Sequence, residues 1–126
     1  MEEVSIIIPA YNEKEGIVRV IESLRLLKEK HGQRWEIIVV DDGSTDNTPE
    51  MVRKFEDVIL IQHPLNRGYG AAIKTGMRHA KYNTLVISDA DGTYPVSDIP
   101  KLIAQLSKSD MVVGARHIVT AINNLT

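Results

Sequence analysis

A mainly parallel α/β sheet, with helices crossing between its strands, is the architecture this sequence predicts, and three observations predict it. Short apolar runs of strand length alternate with stretches of helical spacing along most of the 126 residues. The runs are β-branched and largely apolar throughout, the pattern of strands buried on both faces. Polar clusters follow the first, second and fourth runs, and a parallel sheet binds its ligands beyond the carboxyl ends of its strands.

Each element has its own signal. Val4-Ser-Ile-Ile-Ile8 is the first strand, ended by Pro9. Ile17, Val20, Ile21, Leu24 and Leu27 form one stripe of a helix predicted over Glu13 to Lys30, with Gly32 at its end. Trp35 to Val40 is the second strand, and Asp41 to Asp46 a turn. Thr48 is expected to cap a second helix with Pro49 at its first position. Val58 to Ile61 is the third strand; Asn66 to Gly70 is a loop, and Ala71 to Ala80 a helix. Thr84 to Ser88 is the fourth strand, left by Asp89-Ala-Asp-Gly-Thr-Tyr-Pro95. Ser97 is expected to cap a helix reaching Ser107, with Pro100 in its first turn. Met111 to Val113 is a fifth short strand, and the tail from Ala115 to Thr126 has no clear period.

Composition narrows the class. At 43% hydrophobic and 25% charged residues, residues 1–126 make one domain with one core. A formal charge of -2 and a pI near 6.1, with no basic block, give no nucleic-acid footprint. Cysteine is absent, which excludes disulfides and thiolate chemistry and fits a reducing compartment. The acidic start Met1-Glu-Glu3 is not that of a signal peptide, and no apolar run approaches the roughly 20 residues of a membrane span.

With the strand order 3-2-1-4, the first and fourth strands are neighbours where the order reverses. Pro9 to Glu13 and Asp89 to Asp91 would then face one crevice. Two carboxylates one residue apart, Asp89 and Asp91, can offer hard oxygens to one Mg²⁺ or Mn²⁺ that also holds a diphosphate. Such an ion neutralises charge growing on a departing nucleoside diphosphate. The plainer alternative is that the pair solvates a turn. Asp-Ala-Asp-Gly-Thr93 also resembles the nucleophile motif of haloacid-dehalogenase-type phosphatases. That motif follows a first strand, however, and here it follows the fourth.

The other clusters carry double readings. Tyr11 can face a base and Glu13 can accept from ribose, or Asn12 caps a helix while Glu13 meets its dipole. Asp42 can accept from a base N–H or belong to an ordinary turn. Gly68-Tyr-Gly70 opens a helix, but Ile73 breaks the dinucleotide-binding glycine pattern. Arg67 can reach a phosphate or stay solvated, and Arg116, just past the fifth strand, can reach a diphosphate. His31, His63, His79 and His117 show no metal spacing and are read as surface or turn residues.

Taken in order, Ile7-Ile-Pro-Ala-Tyr-Asn-Glu13, Val39-Val-Asp-Asp-Gly-Ser-Thr-Asp46, Asn66-Arg-Gly-Tyr-Gly70, Asp89 to Pro95 and Val113-Gly-Ala-Arg116 resemble family-2 glycosyltransferases. The nearest branch is that of dolichol-phosphate mannose synthases and related polyprenyl-phosphate glycosyltransferases. The resemblance implies a three-layer, Rossmann-like GT-A nucleotide-sugar-binding fold, order 3-2-1-4 plus a fifth strand. It implies an inverting transfer from a GDP- or UDP-sugar, with a polyprenyl phosphate among the acceptors. Pro9, Tyr11 and Glu13 would line the nucleotide pocket, with Val40 and Asp42 beside the base. Asp89, Ala90 and Asp91 would hold the diphosphate, Asp89 and Asp91 the Mg²⁺ or Mn²⁺, and Arg116 the diphosphate or sugar. Family members continue past this point, so the chain is expected to be the donor half, truncated before most of the acceptor side. A nucleotide- and metal-binding fragment without transfer activity is the alternative. Self-association would cover surface left bare by a missing half. A cytoplasmic location is expected, at the cytoplasmic face of a membrane in a full-length form.

Overall fold

The computed structural model of the protein describes residues 3–31, 34–91, 96–106, 111–113 and 120–123. In chain order the elements are β1 (Glu3–Ala10), α1 (Lys14–His31), β2 (Arg34–Asp41), α2 (Thr48–Arg53), β3 (Val58–Gln62), α3 (Tyr69–His79), β4 (Thr84–Ile87), a 3-10 turn (Val96–Asp98), α4 (Ile99–Leu106), β5 (Met111–Val113) and β6 (Thr120–Asn123). They build one six-stranded sheet of order β3-β2-β1-β4-β6-β5. β1 pairs parallel with β2 and β4, and β2 with β3. The predicted order 3-2-1-4 is the order found.

The apolar runs become strands because they are buried on both faces. Val4, Ile6 and Ile8 of β1, with Trp35, Ile37 and Val39 of β2, point to the layer that holds α1, α2 and α4. Ile17, Val20, Ile21 and Leu24 of α1 meet them there, the stripe read from the sequence. Ile7, Ile38, Val40 and Leu85 point the other way, onto Ala72 of α3. The result is three layers with the larger core on the α1 side. Among the described residues, no helix is long and apolar enough to cross a membrane.

Two expectations need correction. Thr48 does not cap α2: Asn47 occupies the cap position without a side-chain bond, and the Thr48 hydroxyl serves the loop after β1 instead. Ser97 lies in the 3-10 turn and α4 begins at Ile99. Pro100 has no N–H to give, so it fits only a first turn and fixes the start of the helix beside it. The fifth strand, for which the sequence gives no neighbour, stands at the edge of the sheet. β6, from the tail without period, lies antiparallel between β4 and β5. Gly32 and Ser107 lie outside the described residues.

Candidate functional site

At the carboxyl edge of the sheet the loops after β1 and β2 are tied to each other. β1 ends at Ala10, whose carbonyl accepts from the Asp42 amide at 2.8 Å. Asn12 then turns the chain at φ 52°, in the left-handed region that asparagine tolerates better than most residues. Its Oδ1 accepts from the amides of Thr45 at 2.8 Å and Asp46 at 3.2 Å, and its own amide donates to Ser44 Oγ at 2.8 Å. The Glu13 amide donates to the fully buried Thr48 Oγ1 at 3.0 Å. Glu13, whose carbonyl takes the Ile17 amide at 2.8 Å, opens α1. Asn12 is therefore a clasp between loops rather than a helix cap.

The loop between β3 and α3 is held by one carboxylate. Asp42, 4% exposed, accepts from the amides of Arg67 and Gly68, both at 2.9 Å, and from His63 Nδ1 at 2.8 Å. Burial alone pushes its carboxyl up, but the bonds from His63, Arg67 and Gly68 outweigh burial and hold it below its ordinary value. Gly68 sits at φ 100°, a conformation costly for any residue with a Cβ, and it delivers both its amide to Asp42 and the chain to α3. A cleft of about 220 Å³ opens here, lined by Pro9, Ala10, Tyr11, Asp42, Asn66, Gly68, Tyr69 and Ala72. Tyr11 and Tyr69 keep exposed rings there.

The carboxylates after β4 face the same place. The Ser88 amide still bonds to the Ile7 carbonyl at 2.9 Å, so the chain leaves the sheet beside the end of β1. Asp89 and Asp91 are partly exposed and Ala90 is buried. α1 backs directly onto them: a Cβ on Gly16 would stand 2.6 Å from the Ala90 carbonyl oxygen and 2.8 Å from Asp91 Cα. Burial, then the charges of Asp91, Asp89 and Asp46, push the Glu13 carboxyl above its ordinary value. Burial and the charge of Asp89 raise the Tyr69 hydroxyl likewise. One negative field thus covers the ends of β1, β2 and β4 and the start of α3. A wider groove of about 510 Å³ along α1, lined by Glu22, Arg25, Leu26, Lys28, Glu29 and Asp57, lies at the opposite edge. Its Arg25–Asp57 pair, 3.0 Å apart, joins solvated side chains.

Residues 5–125 match the family model described as Glycosyl transferase family 2. The chain belongs to that family. The dolichyl-phosphate beta-glucosyltransferase of Saccharomyces cerevisiae is 40% identical over 114 residues, covering 82% of this chain and 34% of that protein. The undecaprenyl-phosphate 4-deoxy-4-formamido-L-arabinose transferase of Salmonella paratyphi B is 37% identical over 119 residues, covering 90% of this chain and 36% of that protein. The chain therefore spans about a third of the length of these relatives. A mannosyltransferase of Pyrobaculum calidifontis, solved with GDP-Man and Mn²⁺, superposes with a TM-score of 0.82 at 24% identity, over 96% of this chain and 44% of that one. Mannosyl-3-phosphoglycerate synthase of Rubrobacter xylanophilus gives 0.84 at 14% identity, over 97% of this chain and 54% of that one. The fold is the GT-A arrangement of such glycosyltransferases, and family membership sets the phosphatase reading aside.

In this family-2 chain the expected site residues fall into four places. Pro9, Tyr11 and Asp42 line the cleft. Glu13 lies within the field of Asp89 and Asp91. Val40 is fully buried and packs with Ala72 beneath the cleft, and Ala90 is buried against Gly16. Arg116, with Tyr94 and Pro95, lies outside the described residues. His63, read as a surface or turn residue, is instead 6% exposed and bonded on both ring nitrogens. Gly16, Asn12 and Tyr69 also build the site, and the sequence alone marks none of them for it. His63 lies two positions past the apolar run Val58–Ile61, and nothing in the sequence there marks its partners Asp42 and Thr75.

Proposed function

We propose that the chain is the donor-binding half of an inverting, metal-dependent glycosyltransferase. It takes a GDP- or UDP-sugar and delivers the sugar to an acceptor, for which a polyprenyl phosphate fits best. The observation that carries this reading is the meeting, at the reversal of strand order, of an aromatic-edged cleft with two carboxylates on the adjacent strand end. Pro9, Tyr11 and Asp42 would hold the base side of the nucleotide, and Glu13 the ribose. The solved Pyrobaculum relative, which holds GDP-Man and Mn²⁺, and the polyprenyl-phosphate substrates in the names of the curated relatives support the donor and acceptor classes.

The donor set suits Mg²⁺ or Mn²⁺. Among the described residues no three metal-ligating side chains cluster, so Asp89 and Asp91 would be the hard ligands that this chain offers such an ion. When bound, the ion would neutralise charge on the leaving diphosphate. Asp89 and Asp91 would hold that ion, and the buried Ala90 between them fixes their spacing. In the transfer, an acceptor oxygen forms a bond to the anomeric carbon from the face opposite the leaving group. The bond from that carbon to the diphosphate oxygen breaks, and its electron pair leaves with the nucleotide. A phosphate acceptor is mostly ionised at neutral pH, with a second pKa of about 6, and needs no strong base on this chain.

Calorimetric titration of GDP and UDP, with and without Mn²⁺, on the parent and on Asp91→Ala tests the reading. Metal-dependent binding of one nucleotide, lost in the variant, is expected. A parent that binds neither nucleotide with Mn²⁺ present would remove the assignment.

A further inference from the structure

The charged or polar side chains at this edge that are nine-tenths buried or more include a histidine that no part of the transfer chemistry uses. His63 is 6% exposed and lies between two partners: Nδ1 is 2.8 Å from Asp42 Oδ1, and Nε2 is 2.8 Å from Thr75 Oγ1. An ionised Asp42 can only accept, so Nδ1 carries the hydrogen. Nε2 meets the Thr75 hydroxyl, which can donate or accept as the ring requires. The His63 amide is anchored too, donating to the Asp41 carbonyl at 2.8 Å. The ring is thus fixed to the end of β2 by its backbone and to α3 by Nε2, and it presents one N–H to Asp42.

Asp42 has two further duties, since its oxygens also receive the Arg67 and Gly68 amides. Those amides set the position of the loop that contributes Asn66, Gly68 and Tyr69 to the cleft. A carboxylate on a strand end rotates about two side-chain bonds, and three donors converging on it remove that freedom. Two of the three, from Arg67 and Gly68, belong to the wall being positioned, whereas His63 stands at the β3 end of the loop, held to β2 through its amide and to α3 through Nε2. We infer that His63 is a positioning residue for the nucleotide cleft: through its Nδ1–H it locks the Asp42 carboxylate, and Asp42 in turn holds the Asn66–Tyr69 wall in its ligand-ready place. The inference rests on the cleft being the nucleotide site.

Two amide variants divide the ring between them. The Nδ2 of asparagine falls where Nδ1 stands, and the Nε2 of glutamine where Nε2 stands. His63→Asn therefore keeps the donor to Asp42 and gives up Thr75, whose hydroxyl can turn back to a carbonyl of its own helix. His63→Gln keeps Thr75 and strips Asp42 of its external donor. In calorimetry with GDP and UDP in the presence of Mn²⁺, His63→Asn is expected to bind within about threefold of the parent, and His63→Gln about tenfold more weakly, the loss of one hydrogen bond to a charged group. Hydrogen exchange of the Arg67 and Gly68 amides should quicken in His63→Gln and stay slow in His63→Asn. Thr75→Ala should leave both readouts near the parent's. Equal affinity and equal exchange in the two His63 variants would overturn the inference, as would a Thr75→Ala loss matching that of His63→Gln. If the parent binds no nucleotide, the site assignment falls while the exchange comparison still decides whether His63 holds the loop.

Discussion

Asp42 and Glu13 are carboxylates of one site pushed in opposite directions, and acid titration separates them. For Asp42 the bonds from His63, Arg67 and Gly68 outweigh burial, so its folded value lies below the ordinary 3.8. Its contribution to stability is present above that unfolded value and is lost as pH falls through the folded one. Glu13, raised by burial and by Asp91, Asp89 and Asp46 above the ordinary 4.5, behaves oppositely. Its contribution is present below the unfolded value and is lost as pH rises through the folded one. Asp42→Asn should therefore cost about 1–3 kcal/mol at neutral pH, because an amide cannot satisfy three donors, and the deficit should shrink in acid. Glu13→Gln should raise the thermal midpoint of the metal-free protein at pH 7 and lose that advantage below the ordinary carboxylate range. Urea melts at a series of pH values check both, and a lowered midpoint for Glu13→Gln at pH 7 would contradict the second. Gly16 gives a third prediction. On an open helix Gly→Ala gains roughly 1 kcal/mol, but here the new methyl would meet the backbone of Ala90 and Asp91. Gly16→Ala should instead destabilise by about 1–3 kcal/mol, the usual cost of overpacking, and weaken Mn²⁺-dependent nucleotide binding. Denaturation and calorimetry on one preparation would show both.

Among the elements, the loops after β1 and β2 act as one unit because Asn12 clasps them. Asn12→Gly keeps the left-handed turn and removes the clasp; Asn12→Ala removes both. The glycine variant should lose nucleotide affinity with modest loss of stability. The alanine variant should add roughly 1 kcal/mol or more of backbone strain. Equal melting of the two would show that the turn carries no strain. The same clasp shows where sequence reading stops. Strands β1 to β4 and their order were legible because β-branched runs buried on both faces leave little other arrangement, and Asp89 and Asp91 stood out because they follow such a run. Asn12, His63 and Gly16 were not legible as site-builders. Their partners, Thr45 and Asp46, Asp42 and Thr75, and Ala90 and Asp91, lie far off in the chain, and only the sheet brings them near. β6 escaped because four residues with one large apolar side chain carry no period, and its pairing with β4 supplies what its composition lacks.

For the whole molecule, the proposed donor site draws on the ends of β1, β2 and β4 and on the start of α3. Two carboxylates without a third ligand among the described residues should hold a divalent ion weakly until diphosphate completes its shell. Mn²⁺ titrated alone should therefore bind far more weakly than Mn²⁺ titrated with saturating nucleotide. By linkage, nucleotide affinity should rise with Mn²⁺ by the same factor. Electron paramagnetic resonance of free Mn²⁺ measures this directly, and equal affinities would show a site built without the diphosphate. The strand order also sets a timetable. β1, β2 and β3 pair through nearby crossovers and can assemble early, whereas β4 must insert beside β1 and then wait for β6, with Thr84 facing Asn123. Contacts so distant close slowly, and during synthesis the residues of β6 emerge after those of β1 to β4. The proposed nucleotide side of the cleft can thus form on a growing chain before the carboxylate strand has both its neighbours, so that, on the proposed reading, a base could be held before a charge.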